Sequence, residues 1–197
     1  MSVYGLTGGI GAGKSTVAGM FQDSGIPVVL ADDVGRQVVS KGSEGLSAIV
    51  TSFGADMLDS TGGLDRKKLG QMVFNDPEKR RQLEGILHPL VLDHSRELFV
   101  QLEQAGNQVI VYESALLFET KRHVEMKGVI LVIASEEVRI ARVQQRDGSD
   151  QEDVRRRIQA QMVEEDKRKL SDYIIQNDGD MQKLADQVND LIPLLIK

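Results

Sequence analysis

The stretch that most limits what this chain can fold into is Gly8-Gly9-Ile10-Gly11-Ala12-Gly13-Lys14-Ser15-Thr16. An apolar run, Val3 to Leu6, precedes it and reads as a short buried strand; a helix-compatible run, Ser15 to Asp23, follows. Strand, G-x-x-x-x-G-K-[ST] and helix in that order make a phosphate-binding loop. Backbone N–H groups wrap a phosphate only where no Cβ intervenes, so glycines at 8, 9, 11 and 13 let the chain close in. Lys14 then offers a compact cation to the β- and γ-phosphates and Ser15 a hydroxyl to Mg²⁺. The helix points its positive end at the anion. The competing reading is a glycine-rich turn that merely joins a strand to a helix.

Length, charge and composition narrow the class. At 197 residues the expectation is one α/β domain with lobes. A net charge of −6 argues against a nucleic-acid surface, and the basic clusters, such as Arg66-Lys67-Lys68 and Arg155-Arg156-Arg157, are interleaved with acids. With no cysteine there is no thiol chemistry or disulfide framework. No apolar run reaches the length of a membrane span, and the early strand leaves no room for a secretion signal, so the expected address is the cytoplasm.

Further along, Ile26 to Leu30 reads as a second strand ended by Ala31-Asp32-Asp33. Acids at a strand's carboxyl end lie where open α/β sheets place ligands, although either Asp also suits a cap for a helix over Val34 to Ser40. From Glu44 to Gln104 strands give way to helical periodicity, an insertion suited to a second substrate. Within it Pro77 marks a helix start, and His88 before Pro89 is expected to be extended, exposing the imidazole. Gln108–Tyr112, ending at Glu113-Ser114, and Gly128–Ile133 give two more strands, and Tyr173–Ile175 a fifth. After Ser135, read as a cap, Arg139, Arg142 and Arg146 share one helix face leading into an Asp147-Gly148-Ser149 turn, the pattern of a mobile cover. Ser149-Asp150-Gln151-Glu152 reads as a capping box opening one long polar helix to about Lys169, and Met181 to Leu195 as a final amphipathic helix.

Leu6-Thr7-Gly8-Gly9-Ile10-Gly11, Ala31-Asp32 with Arg36, Leu64-Asp65-Arg66, Leu87-His88-Pro89, Leu116-Leu117-Phe118-Glu119, Arg142 with Arg146-Asp147, Gln161 and Asn177, in that order, closely resemble the dephospho-coenzyme A kinases. The resemblance spans essentially the whole chain. Where that family often writes Asp-x-Asp, this chain has Leu30 first, which leaves Asp32 as the matching acid; Ala115 stands where proline is common.

The resemblance implies a five-stranded parallel sheet flanked by helices, with a helical substrate lobe at about 44–104, a lid at about 141–169 and the core in the remainder. It implies ATP-dependent phosphorylation of the ribose 3′-hydroxyl of dephospho-CoA with Mg²⁺, in a monomer or weak homo-oligomer that binds neither nucleic acid nor membrane. Carried over by position, Gly11, Ala12, Gly13, Lys14, Ser15 and Thr16 bind ATP, and Asp32 accepts the hydroxyl proton. Ser15 and Asp32 serve the metal, Arg142 and Arg146 are lid or phosphate arginines, and Asn177 lies by the adenine. Arg66, Arg81 and His88 belong to the substrate lobe. Lys14, Asp32 and Arg142 carry the chemistry, with the Arg142 contact forming chiefly on closure. Another small-molecule or nucleoside kinase, or a nucleotide-binding module without catalysis, shares the loop. A switch GTPase lacks support, because no Asn-Lys-x-Asp reads guanine and Asp59-Ser60-Thr61-Gly62 follows no strand.

Overall fold

A computed structural model describes residues 1–74 and 76–197. They cluster into two compact units, Met1–Val29 with Leu102–Lys197, and Leu30–Gln101.

The first unit is organised by a parallel sheet in the order β2-β3-β1-β4-β5. Its strands are β1 (Ser2–Gly8), β2 (Val28–Leu30), β3 (Val109–Glu113), β4 (Gly128–Ile133) and β5 (Tyr173–Gln176). The central strands are almost continuously apolar, as strands covered on both faces must be, and Leu6, Ile110, Val111, Ile130 and Val132 are fully buried. Sequence reading found all five strands, but β1 and β5 run further toward their carboxyl ends and β2 is shorter than Ile26–Leu30. In the ladder Leu6 pairs with Glu113 of β3, and Thr7 with Leu131 of β4. The crossover leaving β1 runs toward β2, opposite in direction to those leaving its neighbours β3 and β4, so the carboxyl end of β1 is the switch point where such sheets hold ligands.

Helix α1 (Lys14–Asp23) buries Val17, Ala18 and Phe21 and packs beside the carboxyl-terminal helix α9 (Met181–Ile196). The Asp180 carboxylate caps α9 by accepting from the Gln182 and Lys183 N–H groups. Helix α6 (Glu136–Asp147) follows Ser135, which stands at the cap position without a side-chain cap bond, and stops at Gly148 in the left-handed conformation (φ 67°).

The expected long polar helix is two helices, α7 (Gln151–Gln159) and α8 (Glu164–Lys169), joined by an elbow at 160–163. Asp150, not Ser149, caps α7, its carboxylate accepting from Asp153 N–H. Val154 is fully buried against Ile140 and Val143 of α6, with Ile10 and Ile158 beside them.

The second unit holds α2 (Ala31–Gln37), α3 (Glu44–Phe53), α4 (Arg66–Phe74) and most of α5 (Pro77–Gln104). Its core is Val39, Ile49, Met57 and Leu69, with Leu83 and Leu87 of α5 against it. The unit begins at Leu30, so α2 clusters with the helical block and not with the sheet. Three local expectations change. The chain passes from β2 straight into α2, which puts Asp32 and Asp33 inside the first helical turn, where the dipole favours carboxylates, and leaves Leu30 at the cap. The segment expected as a helix over Val34 to Ser40 thus starts earlier and ends at Gln37. His88 and Pro89 lie within continuous α5. Proline forfeits one hydrogen bond there, while Leu83 and Leu87 before it and Phe99 after it are packed, and packing on both sides carries the helix through.

Candidate active site

Two loop glycines adopt backbone conformations closed to other residues: Gly11 at φ 76° and Gly13 at φ 94°. The space around the glycines is taken by the protein itself. A Cβ at Gly9 would strike the Arg139 guanidinium, and one at Gly13 the Asn177 amide. The glycine spacing thus serves close packing of side chains behind the loop as well as approach of a phosphate in front of it.

Lys14 opens α1, and its ammonium folds back to donate to the Gly8 carbonyl at 3.1 Å. It stands 4.0 Å from Glu113 Oε1, with both side chains largely buried at 13% and 14% exposure. Glu113 is the site residue that sequence reading passed over. It was visible as the acid that ends the third strand, but its relevance depends on β3 lying next to β1, which no local pattern reveals. Ser15 and Thr16 are exposed in the first turn of α1, beside the N–H groups of the helix start.

Ile10, at the crest of the loop, is held from both sides of its backbone. Its N–H donates to Gln161 Oε1 at 2.8 Å, and its carbonyl accepts from Arg139 Nε at 2.9 Å. Arg142 donates to the Asn177 carbonyl and to Asn177 Oδ1, both at 3.0 Å, and reaches the Gly11 and Ala12 carbonyls at 3.4 Å. Asn177, buried at the end of β5, closes the ring by donating from Nδ2 to the Ala12 carbonyl at 2.9 Å. Arg142 and Asn177 therefore brace the back of the loop. Arg146 turns away to Asp147, with bonds of 2.6 and 2.9 Å. Because Arg142 is already engaged, Arg142→Ala is expected to lower stability by about 1–3 kcal/mol and to weaken ATP binding together with turnover. Chemical denaturation and nucleotide titration check this, and a turnover defect with intact stability and binding would contradict it.

The elbow between α7 and α8 is tied down by Glu119 of the Leu-Leu-Phe-Glu segment. Glu119 Oε1 accepts from the Met162 N–H at 3.2 Å and lies 3.2 Å from the Lys167 ammonium. Burial pushes the Glu119 carboxyl up, but its own backbone N–H, the Met162 N–H and the Lys167 charge outweigh this and hold it below its ordinary 4.5. A depressed carboxyl stabilises the fold above its unfolded pKa and loses that contribution as pH falls through the folded value. The stability gap between wild type and Glu119→Gln should accordingly be full at pH 6 and shrink below about pH 4.5. Thermal melts at a series of pH values check it; a gap that widens with acid would contradict it.

In the second unit, Asp32 is exposed in the first turn of α2, while Asp33 is occupied by Arg36 at 2.6 Å. Arg66 reaches the Arg36 carbonyl at 3.4 Å, Arg81 stands 3.9 Å from Glu78, and His88 is exposed on α5. The engaged imidazole is that of His94, with Nε2 2.8 Å from Gln37 Oε1 and Nδ1 3.2 Å from Glu97.

A parallel sheet of this order, with a lysine-bearing glycine loop between β1 and α1 and an acid at the end of β3, defines a phosphate-loop kinase. A Thermus thermophilus protein of solved structure superposes with a TM-score of 0.82 at 34% identity, over 98% of this chain and 97% of its own. A dephospho-CoA kinase from Campylobacter jejuni does so with 0.74 at 26%, over 97% and 95%. The family model for dephospho-CoA kinase matches residues 2–183, and the chain belongs to that family. Among relatives, the dephospho-CoA kinase of Syntrophotalea carbinolica is 41% identical over 100% of this chain and 93% of its own length. That of Arabidopsis thaliana is 41% identical over 95% and 81%.

Proposed function

We propose that this protein transfers the terminal phosphoryl group of ATP to the ribose 3′-hydroxyl of dephospho-CoA, giving coenzyme A and ADP, the last step of coenzyme A synthesis. The observation that carries the proposal is the buried Lys14 ammonium between the Gly8 carbonyl and Glu113, in a chain that matches the family over nearly its full length. Phosphoryl transfer asks the protein for position and positive charge more than for covalent chemistry. Lys14 and the N–H groups at the start of α1 supply both to the phosphates. Asp32 receives the 3′-hydroxyl proton as the new O–P bond forms and the bond to the ADP oxygen breaks.

Among the described residues no group of three or more His, Cys, Asp or Glu side chains makes a metal cage. The Ser15 hydroxyl and the Glu113 carboxylate are hard oxygen donors that would suit Mg²⁺ carried in mainly by phosphates and water; Asp32 is the further metal residue that the family resemblance offers. Held there, Mg²⁺ would supply positive charge against the migrating group. Net charge −6 supports a small-molecule acceptor over nucleic acid, and among the described residues no helix is long and apolar enough to cross a membrane. A cytoplasmic monomer or weak homo-oligomer completes the reading.

The test is an acceptor panel. ADP release should depend on dephospho-CoA and fall at least about a hundredfold with nucleosides, nucleoside monophosphates or shikimate, the scale on which unpaired site groups discriminate. Equal rates across the panel, or release independent of any acceptor, would overturn the assignment.

A further inference from the structure

Every carbonyl of the phosphate loop from Gly8 to Gly13 is turned to a donor of the protein itself. That of Gly8 accepts from Lys14 Nζ at 3.1 Å, that of Gly9 from the Ala12 N–H at 3.1 Å, and that of Gly13 from the Thr16 N–H of α1 at 3.1 Å. Side chains from elsewhere in the first unit take the three between them: Arg139 Nε donates to Ile10 at 2.9 Å, Arg142 to Gly11 at 3.4 Å and Asn177 Nδ2 to Ala12 at 2.9 Å. The N–H groups divide differently. Those of Ile10 and Ala12 are spent on Gln161 and Gly9, whereas those of Gly11 and Gly13 donate to no described residue, although both glycines are half-buried.

A trans peptide unit is planar, and its C=O and the N–H that follows point in opposite directions. Drawing the Ile10 carbonyl toward Arg139 therefore aims the Gly11 N–H away from α6, and drawing the Ala12 carbonyl toward Asn177 aims the Gly13 N–H away from the end of β5. Left-handed backbone at both glycines, φ 76° and 94°, lets successive units turn this way and gather N–H groups into a hollow that suits an anion. Arg139 is closely fitted to the task. Its side chain is only 9% exposed, a Cβ at Gly9 would strike its guanidinium, and a Cβ at Gly11 would strike its backbone, so the loop rests directly on this one residue.

We infer that Arg139 is a positioning residue for phosphoryl transfer: by holding the Ile10 carbonyl, its Nε–H presets the Gly11 N–H as a donor to the α- and β-phosphates of the nucleotide. It touches no reactant, and the hydrogen bond, not the charge, is the working part. The inference rests on the kinase reading above and carries it from the loop to the residue that aims the loop. Donors already in place need no reorganisation when the phosphate arrives, which is how such a loop gains affinity. The other arginines of this helix face do not replace it, since Arg142 reaches the Gly11 carbonyl only at 3.4 Å and Arg146 pairs with Asp147.

Two substitutions separate the donor from the charge. Arg139→Gln places an amide nitrogen where Nε stands, one bond beyond Cδ, and removes the charge; Arg139→Lys keeps the charge and places a methylene there. Calorimetric titration of the full chain with ATP and with ADP reads the difference. Arg139→Lys should weaken both nucleotides at least about tenfold, on the scale of one lost hydrogen bond to a charged group, while Arg139→Gln should stay within about threefold of wild type. The reverse order would make the charge the working part, equal losses would point to the bulk against Gly9, and no loss in either would leave a purely structural contact. Each of those results overturns the inference. Should Arg139→Lys fail to fold, Arg139→Met, with a methyl in the same place and no charge, is set against Arg139→Gln and read in the same way. Wild-type protein that binds neither ATP nor ADP would instead remove the kinase reading itself.

Discussion

Lys14→Ala should cut ADP formation at least about a hundredfold while leaving the protein folded, the range for losing one preorganised electrostatic group at a phosphoryl-transfer site. The residue is placed for charge and not for packing. Its ammonium bonds the Gly8 carbonyl at the end of β1 and stands 4.0 Å from Glu113 at the end of β3, so it sits at the sheet's switch point. Removing it takes away the cation proposed to meet the β- and γ-phosphates and also leaves Glu113 without that neighbour. Part of any stability change will come from this second effect, and Lys14→Ala combined with Glu113→Gln separates the two. Stability should recover in the double variant and turnover should not. Turnover near the wild-type value in the single variant would remove Lys14 from the chemistry.

Asp32→Asn should have an effect of similar size, at least about a hundredfold on turnover with little change in KM for dephospho-CoA, because a general base acts in the transition state more than in binding. The substitution keeps shape and hydrogen-bonding capacity and deletes the group proposed to take the proton. Asp33, next to it, is the built-in control. Its carboxylate is bonded to Arg36 at 2.6 Å, so Asp33→Asn should stay within about threefold of wild type. Equal losses at both positions would mean that helix α2 needs its first-turn carboxylates for stability, and Asp32 would lose its special role.

Features encoded locally were legible in the sequence. The phosphate loop declares itself because Gly11 and Gly13 need left-handed backbone and the lysine follows at fixed spacing. Strands β1, β3 and β4 declare themselves as short apolar runs, because a parallel sheet covered on both faces leaves no polar alternation. What escaped depends on partners distant in sequence. The Lys14–Glu113 pair exists because β3 lies beside β1. The elbow at 160–163 contains neither glycine nor proline; its Gln161 side chain bonds the Ile10 N–H and its Met162 N–H bonds Glu119, so side chains far along the chain bend what periodicity extends. Similarly, Pro89 signals a break that the packing of Leu83, Leu87 and Phe99 overrides. The helix face carrying Arg139, Arg142 and Arg146 reads as one stripe in the sequence, yet its members do three different things: hold Ile10, brace Asn177 and pair with Asp147.

The central claim is that the loop's lysine and the acid after β2 move a phosphoryl group to one particular hydroxyl. Phosphorus NMR of the product formed from ATP and dephospho-CoA tests it most directly. The account predicts one new phosphate monoester, on the ribose 3′-oxygen, formed in equal amount to ADP. ADP accompanied by free phosphate alone, or a monoester on any other oxygen, would contradict it.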